Sequence, residues 1–307
     1  MPGGANTDKT RSLVIGGTGL VGGYIVEHLV HRGDRPILLS RSLQQQGRAD
    51  VDWMRGDLEK PETLNCAALA TIYCTTSAIL LADALPRLFS PSLRRVVAFS
   101  STSVITKQDT EVAAERDTIR KLADAEQRIA ATCEQHRVGW TILRPTLIYD
   151  EGCDTNITPL SRLIRRFGFM PLVGGAPGLR QPVHAEDLAI AALSAASSPA
   201  AVNKVYALPG GETLTYREMI GRIFDGLGLP RRTISVPGFM WRAGFVLAKP
   251  LFPGANVAMG IRMMKDMNFD AGPAIRDLDW KPRAFNPVFP AVSETVGSHR
   301  RLKSINP

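Results

Sequence analysis

From residue 11 onward, short apolar runs stopped by Gly, Pro or charged residues alternate with longer stretches in which apolar positions recur every three or four residues. The first pattern is that of strands buried on both faces, the second that of amphipathic helices. Strands are predicted at 13–15, 37–39, 51–54, 72–75, 96–99 and 140–143. Their alternation with helices is the mark of a parallel sheet wound by crossover helices, so the predicted class is α/β with a doubly wound parallel sheet.

The first helix starts in a Gly-rich turn and stops at His31-Arg32-Gly33, where basic groups meet the negative end of the dipole and Gly permits a left-handed cap. A long helix is predicted over 111–136, free of Pro and rich in Ala, Glu, Arg and Gln. Between them, Pro86 and Pro91 leave residues 76–94 little room for a full crossover helix. Past Pro145 the chain loosens into a segment punctuated by Pro159, Pro171, Gly174, Gly175, Pro177 and Gly178, where a smaller C-terminal lobe is expected to begin. A helix over 187–196, a strand over 205–208, a helix opened by the capping box Thr215 to Glu218, and a strand over 234–236 are assigned to that lobe. The division expected is a flexible tail at 1–10, a first domain at 11–150 to which later segments return, and a mainly substrate-binding lobe at 151–307.

A hydrophobic fraction of 44% and a charged fraction of 21% are ordinary for a globular protein. The net charge of +8 favours anionic ligands. Nucleic acid is not expected as a partner, because the basic residues are spread out and no aromatic or zinc-finger pattern accompanies them. The four cysteines, Cys66, Cys74, Cys133 and Cys153, lack metal-ligand spacing, so they read as reduced thiols and no metal site is expected. No apolar run is long enough to span a bilayer, and the nearest candidate, 237–264, is broken by Arg242, Lys249, Pro250, Pro253 and Arg262, which favours two core helices over a membrane surface helix. With no secretion signal at the N-terminus, a cytoplasmic location is expected, and a homo-oligomer is compatible with the sequence.

The first strand runs into Gly16-Gly17-Thr18-Gly19-Leu20-Val21-Gly22 and then an apolar helix. Glycines at this spacing allow a tight turn, let backbone amides approach a pyrophosphate and let helix pack close to strand, which points to a dinucleotide. At the end of the second strand stand Ser40 and Arg41, with no carboxylate to accept ribose hydroxyls, so NADP is favoured over NAD. Asp57 and Leu58, after the third strand, are placed for the adenine, although Asp57 equally suits a turn. Thr75, at the end of the fourth strand, joins the same cofactor-side edge.

With Phe99-Ser100-Ser101-Thr102, Leu143-Arg144-Pro145-Thr146 and the stretch 181–189 following in order, the chain resembles the short-chain dehydrogenase/reductase superfamily. The resemblance is to its extended and atypical branches, the NAD(P)-dependent epimerase/dehydratase-like proteins. It implies a Rossmann-like cofactor domain with a C-terminal substrate lobe. It also implies that Thr102 orients a substrate oxygen and that a Tyr four residues before a Lys on the long helix handles the proton. Placing Lys121 in the Lys role leaves Asp117 where the Tyr belongs. A phenol titrates near ~10 and a carboxylate near ~3.9, so Asp117 cannot donate a proton at neutral pH.

Lys121 acting alone, a phenol from Tyr73 or Tyr149, or a different register of this helix stand as alternatives. His184 reads as a hydrogen-bonded structural residue, Arg144 as a contact for anionic ligand groups, and Arg162, Arg165 and Arg166 as either a phosphate grip or a solvated helix face. Two functions follow. One is an oxidoreductase or epimerase/dehydratase-like enzyme acting on a small carbonyl, alcohol or nucleotide-sugar substrate, and the other is a non-catalytic NADP-binding sensor or accessory subunit.

Overall fold

The computed structural model describes residues 11–42, 48–64, 68–106, 113–241, 260 and 262–289. The expected N-terminal tail, Cys66 and most of 237–264 lie outside the described residues. In chain order the first half comprises β1 (Ser12–Ile15), α1 (Leu20–His31), β2 (Ile37–Ser40), β3 (Asp52–Arg55), β4 (Thr71–Cys74), α2 (Ala78–Ala84), β5 (Arg95–Phe99), α3 (Ser103–Thr106), α4 (Ala113–Gln135) and β6 (Gly139–Pro145). The second half comprises β7 (Ile148–Tyr149), α5 (Thr158–Phe167), β8 (Met170–Val173), β9 (Leu179–Arg180), β10 (Val183–His184), α6 (Ala185–Ser197), β11 (Lys204–Leu208), β12 (Leu214–Thr215), α7 (Tyr216–Gly226), β13 (Thr233–Val236) and α8 (Gly272–Leu278).

Seven parallel strands form the central sheet in the order β11-β6-β5-β4-β1-β2-β3. Successive side chains of a strand point to opposite faces, and here both faces are covered. Val14, Tyr73, Val97 and Phe99 pack under α1 and α6, while Leu13, Ile15, Ile72, Val96 and Ala98 pack under α2 and α4. This double burial explains why the strands read as continuous apolar runs. The strand order reverses between β1 and β4, and ligands of open α/β sheets bind outside the strand ends at such a switch point.

Two segments from beyond residue 150 return to the central sheet. Helix α6 packs on α1, and β11 pairs with β6 as the seventh strand. Periodicity identified both elements but carries no information on which sheet a strand joins. The crossover before β5 is short, a seven-residue α2 capped by Ser77 and followed by a tight 3-10 turn that takes Pro86 in its first positions.

The second lobe has its own core, formed by Ile157 at the N-cap of α5, Ile164 of α5, Leu172 of β8, Ile220 and Phe224 of α7, and Phe285. Helix α7 opens with the capping box foreseen from Thr215 and Glu218. Gln181 staples the C-terminal segment to this lobe, its amide accepting from Phe269 N and donating to Thr213 Oγ1. Of the described cysteines, Cys74 and Cys133 are buried free thiols and Cys153 is an exposed one. Among the described residues, no helix is long and apolar enough to cross a membrane.

Candidate functional site

The chain leaves β1 through Gly16, whose φ of +83° is left-handed backbone. Gly19 N–H closes the turn on Gly16 O at 2.8 Å. A Cβ on Gly22 would lie 2.0 Å from Gly16 O, so strand and helix approach at a separation only glycine allows. Thr75 Oγ1, at the end of β4, donates to Ile15 O and Gly16 O and fills the space a Cβ on Gly16 would need. Helix α1 has Gly19 as its N-cap, no side-chain cap and no acidic residue in its first turn. Its leading amides therefore have no side-chain acceptor, and the cradle from Gly16 through Gly17, Thr18, Gly19, Leu20 and Val21 to Gly22 fits a pyrophosphate.

Register places the second-strand residues beside this cradle, because Leu39 pairs with Ile15. Ser40 Oγ donates to Ser42 O at 2.7 Å and bends the chain, leaving Arg41 exposed at the strand end. Asp57 holds a turn, its carboxylate accepting from Glu59 N and its amide donating to Thr63 Oγ1, each at 3.0 Å. Leu58 is buried in the core with Leu64 and Leu69.

At the C-terminal ends of β5 and β6 a cavity of about 490 Å³ opens between the sheet and the second lobe. Its sheet side is hydroxyl-rich, with Ser100, Ser101, Thr102 and Thr146. Its far side carries Arg180, Gln181, Tyr216 and Arg262. Thr102 is buried and donates its hydroxyl to Pro145 O at 3.0 Å, so its remaining lone pairs are available to accept. Ser100 Oγ is buried without a hydrogen-bond partner, a polar atom left over at this strand end.

Helix α4 turns a stripe of Ile119, Leu122, Glu126, Ile129 and Cys133 toward the sheet. Its rotation is fixed by Glu126, which is 5% exposed and accepts a bidentate pair from Arg144 of β6. At about 100° per residue, a group four positions before Glu126 faces inward with it, and that position is Leu122. Lys121 is exposed and is not among the residues lining the cavity, as is Asp117. Thr102 and Lys121, expected to work together, are thus on different surfaces. The register that put Lys121 in the Lys role is one residue away from the inward face, which holds no amine.

Neither phenol considered as a replacement reaches the cavity. Tyr73 packs in the core, where burial pushes its hydroxyl up to about 12, and Tyr149 sits edge-on between His184 and Phe285. Arg144, expected to meet ligand anions, is committed to Glu126. Arg162, Arg165 and Arg166 are exposed on α5 and outside the cavity lining.

His184 caps α6, its Nδ1 accepting from Glu186 N at 3.1 Å. Asp150, Glu151 and His184 gather their polar atoms within 4.8 Å of one another, a spacing a metal ion could use. The bond to Nδ1 puts the ring proton on Nε2, which faces Glu151 at 3.6 Å and Asp150 at 3.9 Å. A protonated Nε2 has no lone pair for a metal, so the trio reads as a hydrogen-bonded cluster. Burial pushes the Asp150 carboxyl up; burial is also the largest influence on Glu151, but there the His184 hydrogen bond, backbone amides and the His184 charge together outweigh it and hold the carboxyl low.

Arg180, Tyr216 and Arg262 line the cavity unforeseen. Arg262 had registered only as a break in an apolar stretch, and no local pattern says that two positions so far apart in sequence share a wall. Arg180 was hidden for the same reason.

No protein-family model matches the chain. Over 99 residues, 32% of this chain and 24% of the relative, it is 32% identical to the Arabidopsis thaliana mitochondrial NADH dehydrogenase [ubiquinone] 1 alpha subcomplex subunit 9. Over 160 residues, 52% of this chain, it is 23% identical to the UDP-glucose 4-epimerase of Vibrio cholerae. The chain spans about a quarter (24%) and about half (47%) of the length of these relatives. Among solved structures, dTDP-glucose 4,6-dehydratase from Bacillus anthracis in complex with NAD superposes with a TM-score of 0.66 at 15% identity, covering 97% of this chain and 100% of that one. The resemblance to extended short-chain dehydrogenase/reductases drawn from the ordered motifs holds in the fold, a Rossmann-like parallel sheet with helices on both faces.

Proposed function

We propose that this chain, with the fold of the extended short-chain dehydrogenase/reductases, is an NADP-dependent oxidoreductase or epimerase/dehydratase-like enzyme acting on an anionic, nucleotide-sugar-like substrate. The observation that carries this reading is the cavity itself, lined by Ser100 and Thr102 from the sheet and by Arg180 and Arg262 from the C-terminal half of the chain. The nucleotide-sugar enzymes it resembles, a UDP-glucose 4-epimerase and a dTDP-glucose 4,6-dehydratase bound to NAD, support the substrate class and the cofactor class.

The residues of the Gly16 to Gly22 cradle would hold the pyrophosphate of the dinucleotide, and Ser40 and Arg41 would meet its ribose end. Arg41 favours the extra phosphate of NADP, since a guanidinium pairs with phosphate and no carboxylate stands there to accept a ribose hydroxyl. A bound nicotinamide supplies or removes hydride. Thr102, already donating to Pro145 O, accepts from a substrate hydroxyl and so orients it. With Leu122 on the inward face of α4, the Tyr-Lys arrangement of the family is not the proton path, and Lys121 is assigned no part in it.

The experiment is to follow reduced-nicotinamide absorbance with UDP- and dTDP-sugars and their keto forms, with NADP and NAD in parallel. Turnover of any of them supports the enzyme reading. Tight cofactor binding without turnover across the panel replaces it with the accessory, non-catalytic reading, for which the amine-free face of α4 is the favouring observation.

A further inference from the structure

Two arginines line the cavity, and they are not equivalent. Arg180 is buried, with Nη1 donating to Leu179 O at 2.6 Å and Lys265 O at 2.8 Å and Nη2 donating to Arg262 O. Its guanidinium lies 5.4 Å over the Tyr216 ring. These bonds spend Arg180 on fixing the backbone that carries Arg262. The Arg262 side chain, by contrast, reaches out of the second lobe to Glu115 in the first turn of α4, Nη2 to Oε1 at 2.6 Å. The two side chains are 33% and 23% exposed, so the pair is sheltered but not sealed.

We propose that Glu115 competes with substrate for Arg262 and so sets the anion affinity of the cavity: it holds the guanidinium in the ligand-free protein and yields it to a diphosphate entering the cavity. This inference rests on the nucleotide-sugar reading above only for the identity of the ligand. An internal carboxylate acts at an effective concentration in the ~mM range or above, so a lone anion such as phosphate or a small carboxylate displaces it poorly. A diphosphate attached to groups that bind elsewhere in the cavity carries more charge and brings its own anchorage, so it wins the exchange. Glu115 thereby lowers the affinity of Arg262 for every anion, so that only a ligand with further anchorage in the cavity occupies the site.

The test is calorimetric binding of UDP, uridine and inorganic pyrophosphate to wild type, Glu115→Gln, Glu115→Ala, Arg262→Gln and the Glu115→Gln/Arg262→Gln double variant. Removing the competitor is expected to tighten UDP and pyrophosphate roughly fivefold and to leave uridine unchanged. The gain is expected to vanish when Arg262 is absent. Glu115 variants that bind the anions no tighter than wild type, or that keep the gain without Arg262, overturn the proposal, as does failure of both anions to bind any variant. If UDP binds no better than pyrophosphate, the nucleotide reading fails while the pyrophosphate arm still judges Glu115.

Discussion

Glu126 and Arg144 form a bidentate ion pair at the centre of the α4–β6 contact, with Arg144 Nε donating to Glu126 Oε1 at 3.0 Å. By fixing the rotation of α4, the pair decides which of its residues face the cavity. Breaking a buried pair leaves one charge uncompensated, so Glu126→Gln or Arg144→Met alone is expected to cost about 3–5 kcal/mol. The double variant Glu126→Leu/Arg144→Met restores much of that, since an apolar pair carries no stranded charge. Urea unfolding of the three variants measures it, and equal losses for single and double variants would contradict the assignment.

The same rotation separates Thr102 from Lys121. Thr102→Val removes the hydroxyl at the sheet end of the cavity and is expected to lower kcat/KM by about a hundredfold through lost orientation. Lys121→Ala, on the exposed face, is expected to leave kcat/KM within about twofold, as surface changes do. Steady-state kinetics on any substrate found active compares the two, and a large loss on removing Lys121 alone would return that residue to the chemistry.

In the cofactor cradle, Gly22→Ala places a methyl 2.0 Å from the Gly16 carbonyl oxygen. Overpacking of that kind costs about 1–3 kcal/mol and spreads the turn. Dinucleotide binding, followed by quenching of intrinsic fluorescence, is expected to be lost with a lowered Tm. An alanine variant that binds normally would show that strand and helix are not tightly apposed there.

Much of the fold was legible because each strand is buried on both faces and each helix on one. Local signals sufficed for the elements: Gly16, Gly19 and Gly22 for the cradle, Thr215 and Glu218 for the start of α7. What could not be read was long-range. The destination of β11 depends on its pairing with β6, and the meeting of Arg262 with Glu115 depends on how the second lobe sits over α4. The exposure of Lys121 has the same origin, since the pairing of Glu126 with Arg144 on β6 fixes which stripe of α4 faces inward.

Arg41 tests the cofactor preference directly. Arg41→Ala is expected to weaken NADP by roughly tenfold, the worth of one charge-assisted contact at an exposed site, and to leave NAD unchanged. Parallel titrations with the two dinucleotides measure the ratio. An NADP affinity indifferent to Arg41 would remove the ground for preferring NADP.

Arg283 carries a pH dependence. Its Nη2 pairs with Glu186 at 2.8 Å, and its Nε and backbone amide both donate to Asp187 at 2.9 Å, clamping the C-terminal segment to the first turn of α6. The Arg283 hydrogen bond holds the Glu186 carboxyl below its usual range, with burial opposing. A carboxylate whose pKa is lowered on folding stabilises the fold above its unfolded pKa and loses that contribution as pH falls through the lowered value. Arg283→Met is therefore expected to lower stability at pH ~7 by about 1 kcal/mol, discounted for the exposure of the pair. The deficit relative to wild type is expected to shrink as pH drops below the carboxylate range. Thermal melts of both proteins from neutral to acid pH check the sign, and a deficit that stays constant or grows in acid would mean that Arg283 acts through packing and not through its charge.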